Sequence, residues 1–138
     1  MRSQMQNQSS GQISVEMVIL ASVMVGLLLV IFLVNDHLNT SWEQLKQNME
    51  ASSAAGQVAL AINRAASSGN GTQVAFLNRV GPDVTRVEIF NQRSVRAHYL
   101  AGGFASAALV TNNTNFSGDI PVNQLVVVRN IGGTISQG

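Results

Sequence analysis

The distribution of apolar and polar positions divides the chain into three regions. From Met17 to Val34 there are eighteen residues without a charge and with one hydroxyl, Ser22. Eighteen helical residues at about 1.5 Å each span roughly 27 Å, close to the ~30 Å hydrocarbon core of a bilayer. No second run in the chain is long enough to do this. Beyond Val34 the pattern becomes amphipathic. Leu38, Trp42, Leu45 and Met49 recur at spacings of four, three and four, which defines one helical face. Asp36, Glu43, Lys46 and Glu50 lie largely elsewhere. No Pro or Gly occurs from Leu27 to Ala55. Val58, Ala59, Leu60 and Ile62 extend the pattern past an interruption at Gly56. The spacing predicts one helix from about Ile13 to about Ala66, roughly 80 Å long, with Ser14 as a candidate N-cap. Its first half is apolar on every side, so it must be buried on every side, in lipid or against copies of itself. Gly26 within it marks a candidate point of close helix–helix approach.

Ser67-Ser68-Gly69-Asn70-Gly71-Thr72 punctuates the chain, and β-forming residues come after it. Val74–Leu77 is a short candidate strand, and Gly81-Pro82-Asp83 is a turn. Val84–Phe90 alternates, with Val87 and Ile89 on one face and Arg86 and Glu88 on the other. A turn at 91–94 leads to Val95, Ala97 and Tyr99, alternating with Arg96 and His98. Phe104–Val110 and Leu125–Ile131 are further strands, separated by a polar loop at 112–119; Gly132-Gly133 ends the last one. The expected fold is α+β: a long N-terminal helix, packed through its amphipathic half on a small antiparallel sheet of four or five strands. The expected divisions are 1–11, 12–66 (apolar over 12–34, amphipathic over 35–66) and 67–138.

Composition narrows the function classes. Only 11% of residues are charged. Without residues 1–11, which contain Arg2, seven basic and seven acidic side chains remain. A chain of zero net charge is a poor nucleic-acid binder on electrostatic grounds. Arg79, Arg86, Arg93 and Arg96 are interleaved with Asp83 and Glu88, which reads as a solvated sheet face. There is no cysteine, hence no disulfide framework and no thiolate metal site.

Glu16 stands at the mouth of the apolar run. A carboxylate there is costly, and insertion scales give ~2.5–3.5 kcal/mol at a helix centre. It serves either as a headgroup-level charge favoured by the helix dipole or as a functional group. The segment before it does not fit a secretory signal. The apolar core is too long, and the segment after that core, Asn35-Asp36-His37-Leu38, contains no Ala-x-Ala cleavage site. The small-residue site lies in front of the core, at Ser9-Ser10-Gly11.

Gln12-Ile13-Ser14-Val15-Glu16-Met17-Val18-Ile19-Leu20 fits Gln-x-Ser-x-Glu-x-x-x-Leu. With its polar leader, glycine and long apolar helix, it resembles the class III signal peptide of archaeal type IV pilins. The leader departs from the usual pattern in having a single Arg. The resemblance implies cleavage between Gly11 and Gln12 by a membrane prepilin peptidase, with Gln12 as the new N-terminus and Glu16 the fifth mature residue. It also implies a precursor in the cytoplasmic membrane with its N-terminus inside. An assembly ATPase and a membrane platform protein would then build a homo-oligomeric extracellular filament, with adhesion as its expected role. In such a filament Glu16 would enter low dielectric, and the amine of Gln12, on the same or a neighbouring subunit, would relieve that cost. Gln12 and Glu16 are thus candidate registration residues.

Four Asn-x-Ser/Thr sequons lie beyond the apolar run, at Asn39, Asn70, Asn112 and Asn115, and mark candidate glycosylation sites in an exported chain. Asn112 and Asn115 share the polar loop. No catalytic motif, phosphate-cradling loop or metal-ligand spacing is present, and His37 and His98 have no ligand-spaced partners. No enzyme activity and no cofactor are expected. The alternatives are a monomeric, membrane-anchored extracellular binding module and a minor or assembly-priming pilin.

Overall fold

The computed structural model describes the backbone of residues 3–116 and 118–138, with side chains from Ser14 onward. The fold is α+β. One long N-terminal helix, α1 (Ser3–Ser67), is followed by seven strands: β1 (Gln73–Leu77), β2 (Val84–Phe90), β3 (Ser94–Tyr99), β4 (Phe104–Ala108), β5 (Thr114–Asn115), β6 (Leu125–Ile131) and β7 (Thr134–Gln137). The chain forms two compact units, Met1–Trp42 and Glu43–Gly138.

In the first unit α1 runs through Ser14 without a break, so Ser14 is internal and not an N-cap. The residues before it supply the preceding turns. Every large apolar side chain from Val15 to Val34 is more than half exposed. The hydroxyl of Ser22 donates to the carbonyl of Val18 at 2.8 Å, so the one side-chain polar group of the apolar run is satisfied within the helix.

In the second unit α1 continues through Gly56 and shows two distinct faces. Ala51, Ala54, Ala55, Val58, Ile62 and Ala65, spaced by three and four, are buried, as is Ala59. They pack against Val87, Val95 and Ala97 of one sheet and Val126, Val128 and Ile135 of the other. The small alanines let both sheets come close to the helix axis. Leu45, Met49 and Leu60 point away, 49%, 65% and 70% exposed. This corrects the expected packing face. The large residues Leu38, Trp42, Leu45 and Met49 are all exposed, and it is the alanine-rich stripe that the β-structure covers.

The strands form two sheets, not one. The first is three-stranded and antiparallel, in the order β2-β3-β4; the second is four-stranded, in the order β1-β6-β7-β5. The second is mixed, because β5 runs parallel to β7, pairing Thr114 with Ile135. The expected single antiparallel sheet of four or five strands fails at two points. Gly132-Gly133 does not end β6 but turns it into β7, with φ of 61° and 85°, as a two-residue hairpin requires. The polar loop at 112–119 also contributes β5. In β2, Val84 and Val87 are both buried although they are three apart. Thr85 is an extra residue between the pairs Val84–Tyr99 and Arg86–His98, a bulge that resets the alternation.

Asparagines tie the layers together. Asn130 of β6, 4% exposed, donates through Nδ2 to the carbonyl of Ala65 at 3.1 Å and accepts from the Gly133 amide at 3.1 Å. It thereby satisfies a carbonyl of the last helical turn and pins the β6–β7 hairpin. Asn78, fully buried, donates to the carbonyl of Pro121 at 2.8 Å. Further along the helix, Lys46 lies 3.7 Å from Glu50 and 3.8 Å from Asp83, and Gln47 accepts from the Ala101 amide at 3.3 Å.

The two faces of α1 give opposite expectations. Ile62→Ala removes a fully buried side chain between both sheets and is expected to cost about 2–5 kcal/mol. Leu60→Ala, two residues earlier on the exposed side, is expected to change stability by no more than about 0.5 kcal/mol. Thermal melting of both variants by circular dichroism checks the assignment, and equal losses would overturn it.

Candidate functional site

Two groups of residues bear on function: the sequence-marked segment around Glu16, and a side-chain cluster on the outer face of the β2-β3-β4 sheet.

Gly11 and Gln12 lie in α1, and the side chain of Gln12 falls outside the described residues. Glu16 is exposed, and has no ion-pair partner among the described residues. It stands one residue before the uncovered apolar run. Gln12 and Glu16 are four apart on one helix, the spacing at which side chains share a face.

The four sequon asparagines are all exposed. Asn39 lies in mid-helix, and the hydroxyl of its partner Ser41 donates to the carbonyl of His37 at 2.9 Å. Asn70 sits in the turn after α1, where its Oδ1 accepts from the Gly132 amide at 2.7 Å. Asn112 precedes β5, and its sequon hydroxyl residue, Thr114, is buried at 6% exposure. Asn115 lies in β5, and its sequon residue Ser117 is outside the described residues.

The outer-face cluster is not legible from motifs. Strand register creates it. Arg86, Glu88 and Phe90 alternate on β2; Arg96 and His98 of β3 lie opposite Glu88 and Arg86; Phe104 of β4 lies opposite His98. The Glu88 carboxylate accepts from His98 Nε2 at 2.9 Å and from Arg86. Arg86 also lies 3.5 Å from Asp119. The hydrogen bond from His98, aided by the positive charge of Arg86, holds the Glu88 carboxyl below its ordinary value near 4.5, against an opposing contribution from burial. Arg96 takes no acid among the described residues. Its guanidinium carbon sits 3.3 Å from the centre of the Phe90 ring and 4.4 Å from that of Phe104. The expected solvated arginine face is therefore more ordered than alternation suggests. The available signal is two aromatics, Phe90 and Phe104, at positions in phase with the charged side of the strands.

A shallow groove of about 260 Å³ runs between the exposed helix residues Leu60 and Arg64 and strand β1. It falls below the range of about 300–1,000 Å³ typical of small-molecule sites. Among the described residues, no three His, Asp or Glu side chains come together as a metal site.

No protein family, curated protein or solved structure matches this chain.

The depressed Glu88 pKa fixes the sign of a pH effect. A carboxylate whose folded pKa lies below its unfolded one stabilises above the unfolded value and loses that contribution as pH falls through the folded value. Acid denaturation of the native chain is expected to steepen below about pH 4.5. Glu88→Gln is expected to be less stable at pH 7 and to show a flatter acid limb. Melting temperature measured from pH 7 down to pH 2 checks this, and parallel curves would exclude the pairing.

Proposed function

We propose that this chain is a type IV pilin-like structural subunit of the archaeal class, made as a membrane precursor and assembled through α1 into a surface filament. The observation that carries this reading is Glu16, which follows Gly11-Gln12 by the motif spacing and stands directly before an apolar helical run left uncovered by the described residues. Cleavage after Gly11 frees the amine of Gln12. The apolar surface then leaves lipid and is reburied between copies. Glu16 pairs with an N-terminal amine as it enters low dielectric, which sets the register of one subunit against the next. The β-rich unit faces solvent, and its exposed asparagines Asn112, Asn115 and Asn70, with Asn39 on the helix, are candidate glycan acceptors. Adhesion is the proposed role. The partners are further copies of the chain, the prepilin peptidase, the assembly ATPase and the platform protein.

The test is mass spectrometry of the N-terminal peptide in material sheared from cells. A peptide beginning at Gln12 is expected in sheared fibres. An intact Met1 terminus confined to the membrane fraction would replace this reading with an anchored, monomeric binding module. Glu16→Gln is expected to insert into membranes as the native chain does, yet to be depleted from fibres about tenfold or more, given that breaking a buried pair costs kilocalories. Normal incorporation of that variant, scored by quantitative blotting of sheared and membrane fractions, would remove Glu16 from the assembly mechanism.

A further inference from the structure

We propose that Arg96 and Phe104, on the outer face of the β2-β3-β4 sheet, form a binding site for a carboxylate carried on a sugar ring. The site is independent of how the chain assembles.

Charge partners on this face are out of balance. Arg96 lies directly opposite Glu88 in the β2–β3 register, the position from which a cross-strand ion pair is expected. Glu88 is already committed, however, to His98 and Arg86. Arg96 is left without an ion pair among the described residues, and its Nε–H is buried without an acceptor. That nitrogen is covered by protein, and the terminal Nη atoms are not among the buried ones, so they are the edge a ligand can reach.

The rings of Phe90 and Phe104 hold the guanidinium in place, with its carbon 3.3 Å and 4.4 Å from their centres. Stacking occupies the faces of the group and leaves the in-plane N–H donors of its terminal nitrogens as the polar contacts open to a ligand. A guanidinium held in this way is pre-organised for a planar, two-oxygen acceptor, which a carboxylate is. A lysine ammonium would not give the same fit.

The surroundings narrow the ligand. Phe104 is 49% exposed, so the ring that helps to hold Arg96 also offers a flat apolar surface to a ligand. Ser106, exposed, lies directly opposite Arg96 on β4 and adds a hydroxyl to the same face. A guanidinium for a carboxylate, a ring for the C–H face of a pyranose and a hydroxyl for its hydroxyls together suit a sugar acid. The same group reaches the site either as a free sugar acid or as a residue of an acidic polysaccharide.

The full-length chain in detergent is passed over immobilised polygalacturonate and over its methyl ester, in which the carboxylates are blocked. Retention on the acid is expected to exceed that on the ester by about tenfold, the scale of one charge-assisted contact. Arg96→Gln is expected to reduce retention to the ester level, and Arg96→Lys to recover only part of it. Arg79→Gln, which removes the same charge from an exposed position elsewhere, is expected to retain native binding. Phe104→Leu keeps the arginine and removes the ring, and is expected to weaken binding, with circular dichroism confirming the fold of each variant. In parallel, the Arg96 Nε–H resonance is followed as galacturonate is added. A shift with free galacturonate but no retention on the polymer assigns the site to the free sugar acid; retention as well assigns it to the polymer. Equal retention of native chain and Arg96→Gln, or equal loss with Arg79→Gln, would overturn the site. Self-association that Arg96→Gln abolishes, without binding to either sugar form, would overturn the sugar assignment in favour of a carboxylate on a second copy.

Discussion

Fifteen large apolar side chains between Met17 and Val34 must be covered by something other than water. At about 1.5–3 kcal/mol for each fully buried side chain, the run represents roughly 20–45 kcal/mol of hydrophobic free energy. That exceeds the ~5–15 kcal/mol that holds a typical domain folded. One helix thus carries more unburied hydrophobic free energy than holds a typical domain folded. Lipid and a bundle of like helices are two environments that would meet the demand. A helix satisfies its own backbone hydrogen bonds, so it can pass from one to the other without unfolding. The only side-chain polar group along the run, the Ser22 hydroxyl, is bonded within the helix and raises no barrier to that transfer.

The second half of α1 solves a different problem with the same geometry. It must hold two sheets at once, and it does so with small residues. Ala51, Ala54, Ala55 and Ala65 bring the backbone close to both layers, while Val58 and Ile62 fill the space between them. Interior density depends on fit and not on residue size, so an alanine face can support a core that a leucine face would push apart. The larger residues, Leu45, Met49 and Leu60, are thereby left outside, where an isolated domain has no use for them. The helix thus shows one apolar face to the sheets and leaves a second one exposed.

How much of this is legible in the sequence depends on whether a feature is local. The helix shows in its period and in the absence of Pro and Gly from Leu27 to Ala55, β2 and β3 show in their alternation, and β6 in its apolar run Leu125–Val128. The packing face does not. Leu38, Trp42, Leu45 and Met49 carry the strong hydrophobic signal, and the i, i+3, i+4 series of alanines that is actually buried carries a weak one. Gly132-Gly133 is an ambiguous signal, since two glycines between a strand and Thr134-Ile135 fit a tight hairpin as well as a stop. The bulge at Thr85 and the parallel β5–β7 pair have no local signature, since both arise from register between distant segments. The outer-face cluster is hidden for the same reason. Arg86, Glu88, Arg96 and His98 look like ordinary solvated charges until pairing shows that His98 and Arg86 share one carboxylate and leave Arg96 to the phenylalanines. The motif around Glu16 is open to sequence reading because it is contiguous.

The edges of the three-stranded sheet bear on whether further strands can add to it. Unpaired strand edges invite further strands, a hazard wherever chains are concentrated. Here β2 is closed by Ile120, whose amide donates to the carbonyl of Val87 at 2.8 Å. The end of β4 is closed from the helix. Asn63 donates through Nδ2 to the carbonyl of Ala108 at 3.3 Å and accepts through Oδ1 from the amide of Val110 at 2.9 Å, occupying the groups a neighbouring strand would use. With both margins of that sheet engaged inside the domain, lateral strand addition has little to attach to. The outer face of the same sheet, with Arg96 and Phe104, is separate from these margins.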